Sequence, residues 1–422
     1  MPKLIHVVGA GLAGLAAAVQ LQRRGAQVVL HDAAGYAGGR CRSYYDARFG
    51  ATLDSGNHIV LAGHAATLNY TRAIGAADEL TGPALPDYPF VDLATRARWT
   101  VRMSPGRLPW WIFDQQARVP NTGPADYLSL VPLLFAKPGR SVAQTMRAQG
   151  PLWDRLLRPL LHGLLHGEPR EASAELTAAL VRELMLVGGS AWRPLMARNG
   201  LGSAFVDPAL RLLQHGGASL RLDSGLKEIV FATDKPRVQA LTFEHEHIAL
   251  DANHAVILAV PPEIAQSMVP GLCAPTRFAA SASVHFAVEP PFGLAPLTGV
   301  LNGTAEWLFA TDGRLSVTVN GAQNMLDGPP ETLATTVWAE VAQAANLPAT
   351  PMPAWQVVAT PRATFAALPD QETLRPGTRT RWTNLMLAGD WTATGLPATI
   401  EGAIRSGQKA ADTLLNEPME RR

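Results

Sequence analysis

At 422 residues the chain is longer than one hydrophobic core normally holds, so two domains are expected. A hydrophobic share of 47% against 17% charged is apolar for a soluble enzyme, and a net charge of +1 argues against nucleic acid as the main partner. Cys41 and Cys273 have no metal-ligand spacing, and no apolar run reaches the roughly 18 residues a membrane span needs; the expectation is a cytoplasmic protein without metal or disulfide, soluble or at most lying on a membrane.

Leu4–Val8 reads as a buried first strand running straight into a glycine turn, not as a signal peptide. A helix over about 12–24 and a strand at Gln27–His31 complete one βαβ unit, and Asp32 closes the second strand. A loop follows from Gly35 to Ser43. From 67 to 199 the pattern changes to Trp-, Pro- and Leu-rich stretches with helical spacing, including 127–135 and 152–165. The α/β pattern returns with a helix at 206–214, a Gly216-Gly217 stop and strands at 219–222 and 255–260. Alternating stretches at 283–288 and 315–319, then a helix at 331–345, predict an antiparallel sheet with helical cover. The segment from Asn384 onward returns to a strand, a glycine and a helix, so the two domains interleave without a single linker.

The turn Gly9-Ala10-Gly11-Leu12-Ala13-Gly14 fits a dinucleotide fingerprint. Gly9 allows the turn, Gly11 lets backbone approach phosphate, and Gly14 permits close helix–strand packing. Asp32 stands where an acid can take the hydroxyls of an adenosine ribose. Gly38 and Gly39 clear space beside Arg40, which can pair with a pyrophosphate; alone, this segment is equally a surface turn. Gly389-Asp390 and a helix beginning near Ala398, Thr399 and Ile400 repeat the arrangement at the other end of the chain, although Asp390 can also be a simple turn residue. Leu226 lies in a strand that can cover an adenine, with ordinary packing equally open. A dinucleotide held from both ends of the sequence indicates FAD rather than a transient nicotinamide cofactor. Gly200-Leu201-Gly202 reads as a loop before a helix, so no second fingerprint for NADPH is expected.

With these residues in view, the chain resembles the flavoprotein family of amine oxidases and phytoene-type desaturases. The closer likeness is to its squalene-associated branch, the hydroxysqualene dehydroxylases of bacterial hopanoid synthesis. The likeness rests on 9–14, Gly38-Gly39-Arg40-Cys41-Arg42-Ser43, Leu53-Asp54-Ser55-Gly56-Asn57-His58, Arg362-Ala363-Thr364-Phe365, Leu374-Arg375-Pro376-Gly377 and the 387–407 segment. Asn57 stands where the branch more often has Gln, and Asp32 where Glu is commoner. The resemblance implies an α/β protein: a Rossmann-type FAD-binding domain (1–66, 200–272 and 375–422) interleaved with an amine-oxidase-like α+β substrate domain of antiparallel sheet plus helices (67–199 and 273–374). It also implies Asn57 and His58 beside the cofactor. The reaction would remove the hydroxyl of hydroxysqualene with electrons from reduced FAD, supplied by an external reductant or reductase.

An isoprenoid substrate needs a long apolar tunnel. Trp99, Trp110, Trp111, Phe113, Trp153, Trp192, Trp307 and Trp338 are candidates, each also accounted for by plain core packing. The concentration at 99–113 can equally be a patch facing a membrane. Departure of an allylic hydroxyl needs an acid. His58 is the first candidate, then His162, His166 and Glu168; a packed histidine bonding backbone is the alternative for each imidazole. Competing functions are a desaturase or amine oxidase on the same scaffold, a non-catalytic isoprenoid carrier, and an NAD dehydrogenase.

Overall fold

The computed structural model describes residues 4–47 and 49–416. Residues 1–3 and 417–422, the outer edges of the expected FAD-binding segments, and Arg48 lie outside the described residues.

Five strands form a parallel sheet in the order Ser219–Arg221, Gln27–His31, Leu4–Val8, His254–Leu258, Leu385–Leu387. Ile5, Val7, Leu30, Val256, Ile257 and Leu385 are almost wholly buried, because helices or strands cover both faces of a parallel sheet and its strands must be apolar throughout. Helix Leu12–Arg23 packs against Ile400–Asn416, the helix that closes the described chain. Their approach depends on Gly407, where a Cβ would stand 2.0 Å from the Ala13 carbonyl oxygen. The first and last helices therefore form one layer over the sheet.

A second, seven-stranded sheet runs Trp355–Phe365, Phe278–Phe286, Arg314–Asn320, Trp307–Thr311, Leu297–Leu301, Asp87–Asp92, Arg98–Arg102. It is antiparallel except where Leu297–Leu301 lies parallel to Asp87–Asp92. Ala282, Val284, Phe286, Val317 and Val319 share a core with Leu333, Val337, Trp338 and Val341 of helix Pro330–Ala345. Trp338 is thus core, buried among these residues. By the two-residue period of a strand, Ser281, Ser283 and His285 turn to the opposite face. A separate three-stranded sheet of Leu226–Phe231, Val238–Phe243 and His247–Ala249 lies outside both.

Three sequence expectations change. The helix anticipated over 127–135 is a 3-10 segment, Pro124–Leu130, followed by the single turn Val131–Leu134, each opening with a proline in its first turn. The 152–165 helix begins as a π-turn, Trp153–Leu157, before Arg158–Leu165. Gly200-Leu201-Gly202 is not a loop: Leu201 is already helical and a π-turn, Gly202–Val206, precedes helix Asp207–His215. Side chains hold that start, with the Leu201 amide donating to Asp54 Oδ1 at 2.9 Å and the Gly202 amide to Ser43 Oγ at 2.8 Å. Both π-turns end just before a proline, Pro159 or Pro208, which has no N–H to close the next α-type bond.

Candidate cofactor and active site

The glycine turn leaves the end of Leu4–Val8 with Gly9 at φ +105°, a region that favours glycine. A Cβ on Gly14 would lie 1.8 Å from the Gly9 carbonyl oxygen, so Gly14 sets the close packing of helix on turn. At Gly11 a Cβ would meet nothing within 4 Å. Helix Leu12–Arg23 starts there with no side-chain cap and no acid in its first turn, leaving its amides and positive end for an anion. Asp32, at the end of Gln27–His31, accepts from the Ala10 amide at 2.6 Å and the Ala34 amide at 2.8 Å. It braces the glycine turn, a role the sequence had not indicated. Leu226 pairs with Phe243, whose ring stacks 4.2 Å from that of His31, so Leu226 reaches the same end of the sheet.

Gly38 is stitched to this turn, donating its amide to the Ala10 carbonyl at 2.8 Å. Arg40 then donates to Asp390 Oδ1 at 2.7 Å and to the Ala363 carbonyl at 2.6 Å. The Asp390 carboxylate raises the guanidinium pKa further above its ordinary value. Gly389 and Asp390 follow strand Leu385–Leu387, so Gly9, Asp32 and Asp390 all lie beyond the carboxyl ends of parallel strands, where open α/β sheets bind ligands. Arg375, buried completely, organises the 390–394 loop: Nη2 donates to the carbonyls of Asp390 and Thr392 and to Thr394 Oγ1, while Nη1 pairs with Glu372 at 2.7 Å. Helix Ile400–Asn416 begins within two residues of Ala398, and the Thr399 hydroxyl accepts from the Gly402 amide at 3.0 Å.

The open face at Gly11, the uncapped helix end and a buried Asn57 Nδ2 with no hydrogen-bond partner fit a flavin dinucleotide, which offers an anionic pyrophosphate and ring oxygens as acceptors. Asn57 is fixed by its amide, which donates to Ser283 Oγ of the seven-stranded sheet at 3.1 Å.

Three of the four candidate acid–base residues come together. Helix Arg158–Leu165 packs on strand Trp307–Thr311 through Gly163, where a Cβ would lie 2.7 Å from Trp307 Nε1. That approach seats His162 Nδ1 2.9 Å from Glu306 Oε2. The Asn320 backbone and side-chain amides hold the carboxylate at 2.8 and 2.9 Å. His166 ends the helix in the left-handed conformation at φ +56°. Burial lowers its pKa to about 4, with His58, His162 and Arg40 pushing the same way and Glu306 the other. His58 Nδ1 sits 2.9 Å from the Gly56 carbonyl. A carbonyl can only accept, so Nδ1 carries the hydrogen and Nε2 is left as an acceptor. Burial also lowers the His58 pKa. His58 and His166 are therefore neutral at physiological pH, and of the three imidazoles His162 has the carboxylate partner. Glu168 is not part of this group; it pairs with Arg158 at 3.1 Å. Glu306 is the residue that sequence reasoning missed. Among the described residues no group of three or more His, Cys, Asp or Glu is placed to hold a metal ion.

Residues 12–415 match the flavin containing amine oxidoreductases, and the chain belongs to that family. It is 48% identical to a hydroxysqualene dehydroxylase of Rhodopseudomonas palustris over 98% of this chain and 99% of that protein. To the hydroxysqualene dehydroxylase of Sinorhizobium fredii it is 47% identical over 99% of each. Among solved structures, putrescine oxidase bound to putrescine superposes with a TM-score of 0.71 at 16% identity, covering 99% of this chain and 100% of that one. Cyclohexylamine oxidase from Brevibacterium oxydans gives 0.69 at 17%, covering 98% and 99%. At those identities the two amine oxidases share the fold.

Proposed function

We propose that the protein is an FAD-dependent oxidoreductase that removes the hydroxyl of hydroxysqualene to give squalene. The observation that carries this is the 48% identity, over essentially the whole of both chains, to a hydroxysqualene dehydroxylase. Residues 1–66, 200–272 and 375–422 are assigned to FAD binding, and 67–199 with 273–374 to the substrate. Gly9 to Gly14, Gly38, Gly39, Arg40 and the helix end at Gly11 would hold the pyrophosphate; Asp32 and Leu226 the adenosine end; Asn57, His58, Gly389, Asp390 and the helix end at Ala398–Ile400 the flavin end.

When bound and reduced, FAD supplies a hydride. The protein supplies the acid and the walls. His162, with Glu306 as counter-charge, can carry a proton to the departing hydroxyl, which leaves as water. His58 Nε2, an acceptor, orients that hydroxyl. Trp307, Phe309, Leu157 and Leu161 belong to one apolar cluster beside the pair and keep water from the allylic cation until hydride reaches it. The balance is closed: hydroxysqualene, hydride and proton give squalene and water. Electrons come from an external reductant or reductase, and the enzyme works in the cytoplasm, peripherally on the inner face of the cytoplasmic membrane.

Anaerobic incubation of the purified holoprotein with hydroxysqualene and chemically reduced FAD tests this, with squalene read by gas chromatography. No squalene, together with bleaching of oxidised flavin by a carotene precursor or an amine, would replace it with a desaturase or amine oxidase.

A further inference from the structure

Three separate segments turn large apolar side chains to solvent. Leu108, Trp110, Phe113, Leu128, Phe135 and Leu186 are 59%, 65%, 62%, 66%, 77% and 75% exposed. They form one neighbourhood. The Trp110 and Phe113 rings lie 6.2 Å apart, and their turn packs on Pro124–Leu130. Val131–Leu134 packs on helix Ala174–Val187. Just past that helix the Gly189 amide donates to the Gly106 carbonyl at 2.9 Å, and the Ser190 amide to Pro105 at 3.0 Å, which brings Leu186 beside Arg107 and Leu108.

Charge says what this face meets. Arg107, Lys137 and Arg140 are exposed on its rim and have no acidic partner among the described residues. Its exposed acids, Asp114 and Asp126, bond amides of their own turns, Asp114 Oδ1 accepting from Gln116 at 2.9 Å and Asp126 Oδ2 from Gly123 at 2.7 Å, and the cations outnumber them. A second copy docked through the same patch would gather the rim cations of both copies into one interface. An anionic bilayer surface satisfies both features: acyl chains take the apolar tips and lipid phosphates take the cations. From beneath the patch, Tyr127 and Leu133 join the same apolar cluster as Trp153, Leu157 and Trp307, with Trp111 and Ile112 packed against it. Apolar material thus runs without a break from the surface to the wall beside His162.

We propose that this face docks on the surface of an anionic bilayer and that the isoprenoid substrate passes from the bilayer through it. The docking stands on the surface alone; the route of the substrate rests on the function proposed above.

Flotation of the holoprotein with phosphatidylcholine vesicles, with and without phosphatidylglycerol, tests it. The wild type is expected to float with the anionic vesicles and about tenfold less with the neutral ones, with the difference lost at high salt. The variant L128S/F135S/L186S should stop floating while it keeps its flavin absorbance and its turnover in detergent micelles. Wild type that stays at the bottom with anionic vesicles, or a variant that floats equally well, overturns the proposal. So does a wild-type dimer in gel filtration that the variant converts to monomer, which would assign the face to self-association. Vesicle binding without squalene formation leaves the surface standing and removes the function; squalene made in micelles without vesicle binding does the reverse.

Discussion

Arg40 and Asp390 stand 350 positions apart in the chain and meet at 2.7 Å. The pair joins the glycine loop after the first βαβ unit to the loop after the last strand, and it lies between the glycine turn and the Arg375 scaffold. Replacing Arg40 with Ala removes both the proposed pyrophosphate partner and the tie to Asp390. FAD affinity should fall by at least about tenfold, equivalent to about 1.4 kcal/mol, and flavin should be lost on gel filtration. An R40A protein that keeps its yellow colour through the column would show that Arg40 does not hold the cofactor.

Two neighbouring glycines should separate folding from binding. At Gly14 an added methyl meets the Gly9 carbonyl oxygen at 1.8 Å, so G14A should lose about 3 kcal/mol of stability or more and unfold several degrees lower. At Gly11 the methyl enters open space at φ −71°, so G11A should fold normally and lose FAD affinity. Thermal melts with and without FAD distinguish the two.

Removing the imidazole in H162A should lower the rate of squalene formation by about a hundred- to ten-thousandfold with flavin absorbance unchanged. E306Q keeps the shape of the site and removes the counter-charge, so its loss should be smaller and fall on kcat rather than KM. E168Q, which breaks only the pair with Arg158, should retain activity. Equal losses in E168Q and H162A would return Glu168 to the candidate acids.

Arg375 carries no exposed side-chain surface and bonds four groups of one loop, the carbonyls of Asp390, Trp391 and Thr392 and the Thr394 hydroxyl, while paired with Glu372. R375M should strand those acceptors and the Glu372 carboxylate, costing about 3–5 kcal/mol. The midpoint of urea unfolding measures it, and R375M/E372L should recover part of the loss.

Acid should destabilise the protein well above the range where carboxylates titrate. Burial lowers the pKa of His6 from 6.5 to about 4 and those of His31 and His285 to about 3. Between those values and 6.5 the unfolded chain binds more protons than the folded one, so stability is complete above about 6.5 and drains away as the pH falls. Each histidine removes up to about 1.4 kcal/mol per pH unit. Urea midpoints should stay level from about pH 8 to about pH 6.5 and fall from there to about pH 5, and a profile flat throughout would place these imidazoles in contact with water.

The nucleotide half was legible because its signals are local. Gly9, Gly11 and Gly14 announce their turn within six residues, and the apolar runs of the parallel strands read directly as buried. Glu306 was not legible: it sits in a short connection, and its partner His162 lies 144 positions away, joined to it by the packing of Gly163 on Trp307. The apolar patch was half legible. Trp110 and Phe113 drew notice in sequence, whereas Phe135 and Leu186 join them through tertiary contacts that no window of residues contains. The 127–135 helix was misread because periodicity outvoted the prolines at 124 and 132.

The order of strands in the parallel sheet has a consequence for biogenesis. Strand Leu385–Leu387 joins the sheet on His254–Leu258, and the loop held by Arg375 and helix Ile400–Asn416 are made long after Leu4–Val8 and Leu12–Arg23; yet the late helix packs on helix Leu12–Arg23 and Asp390 closes on Arg40. Until they arrive, the amino-terminal turn waits with one flank bare. A chain cut before Gly389 lacks both Asp390 and that helix, and is expected to hold the flavin poorly however well the amino-terminal turn has formed.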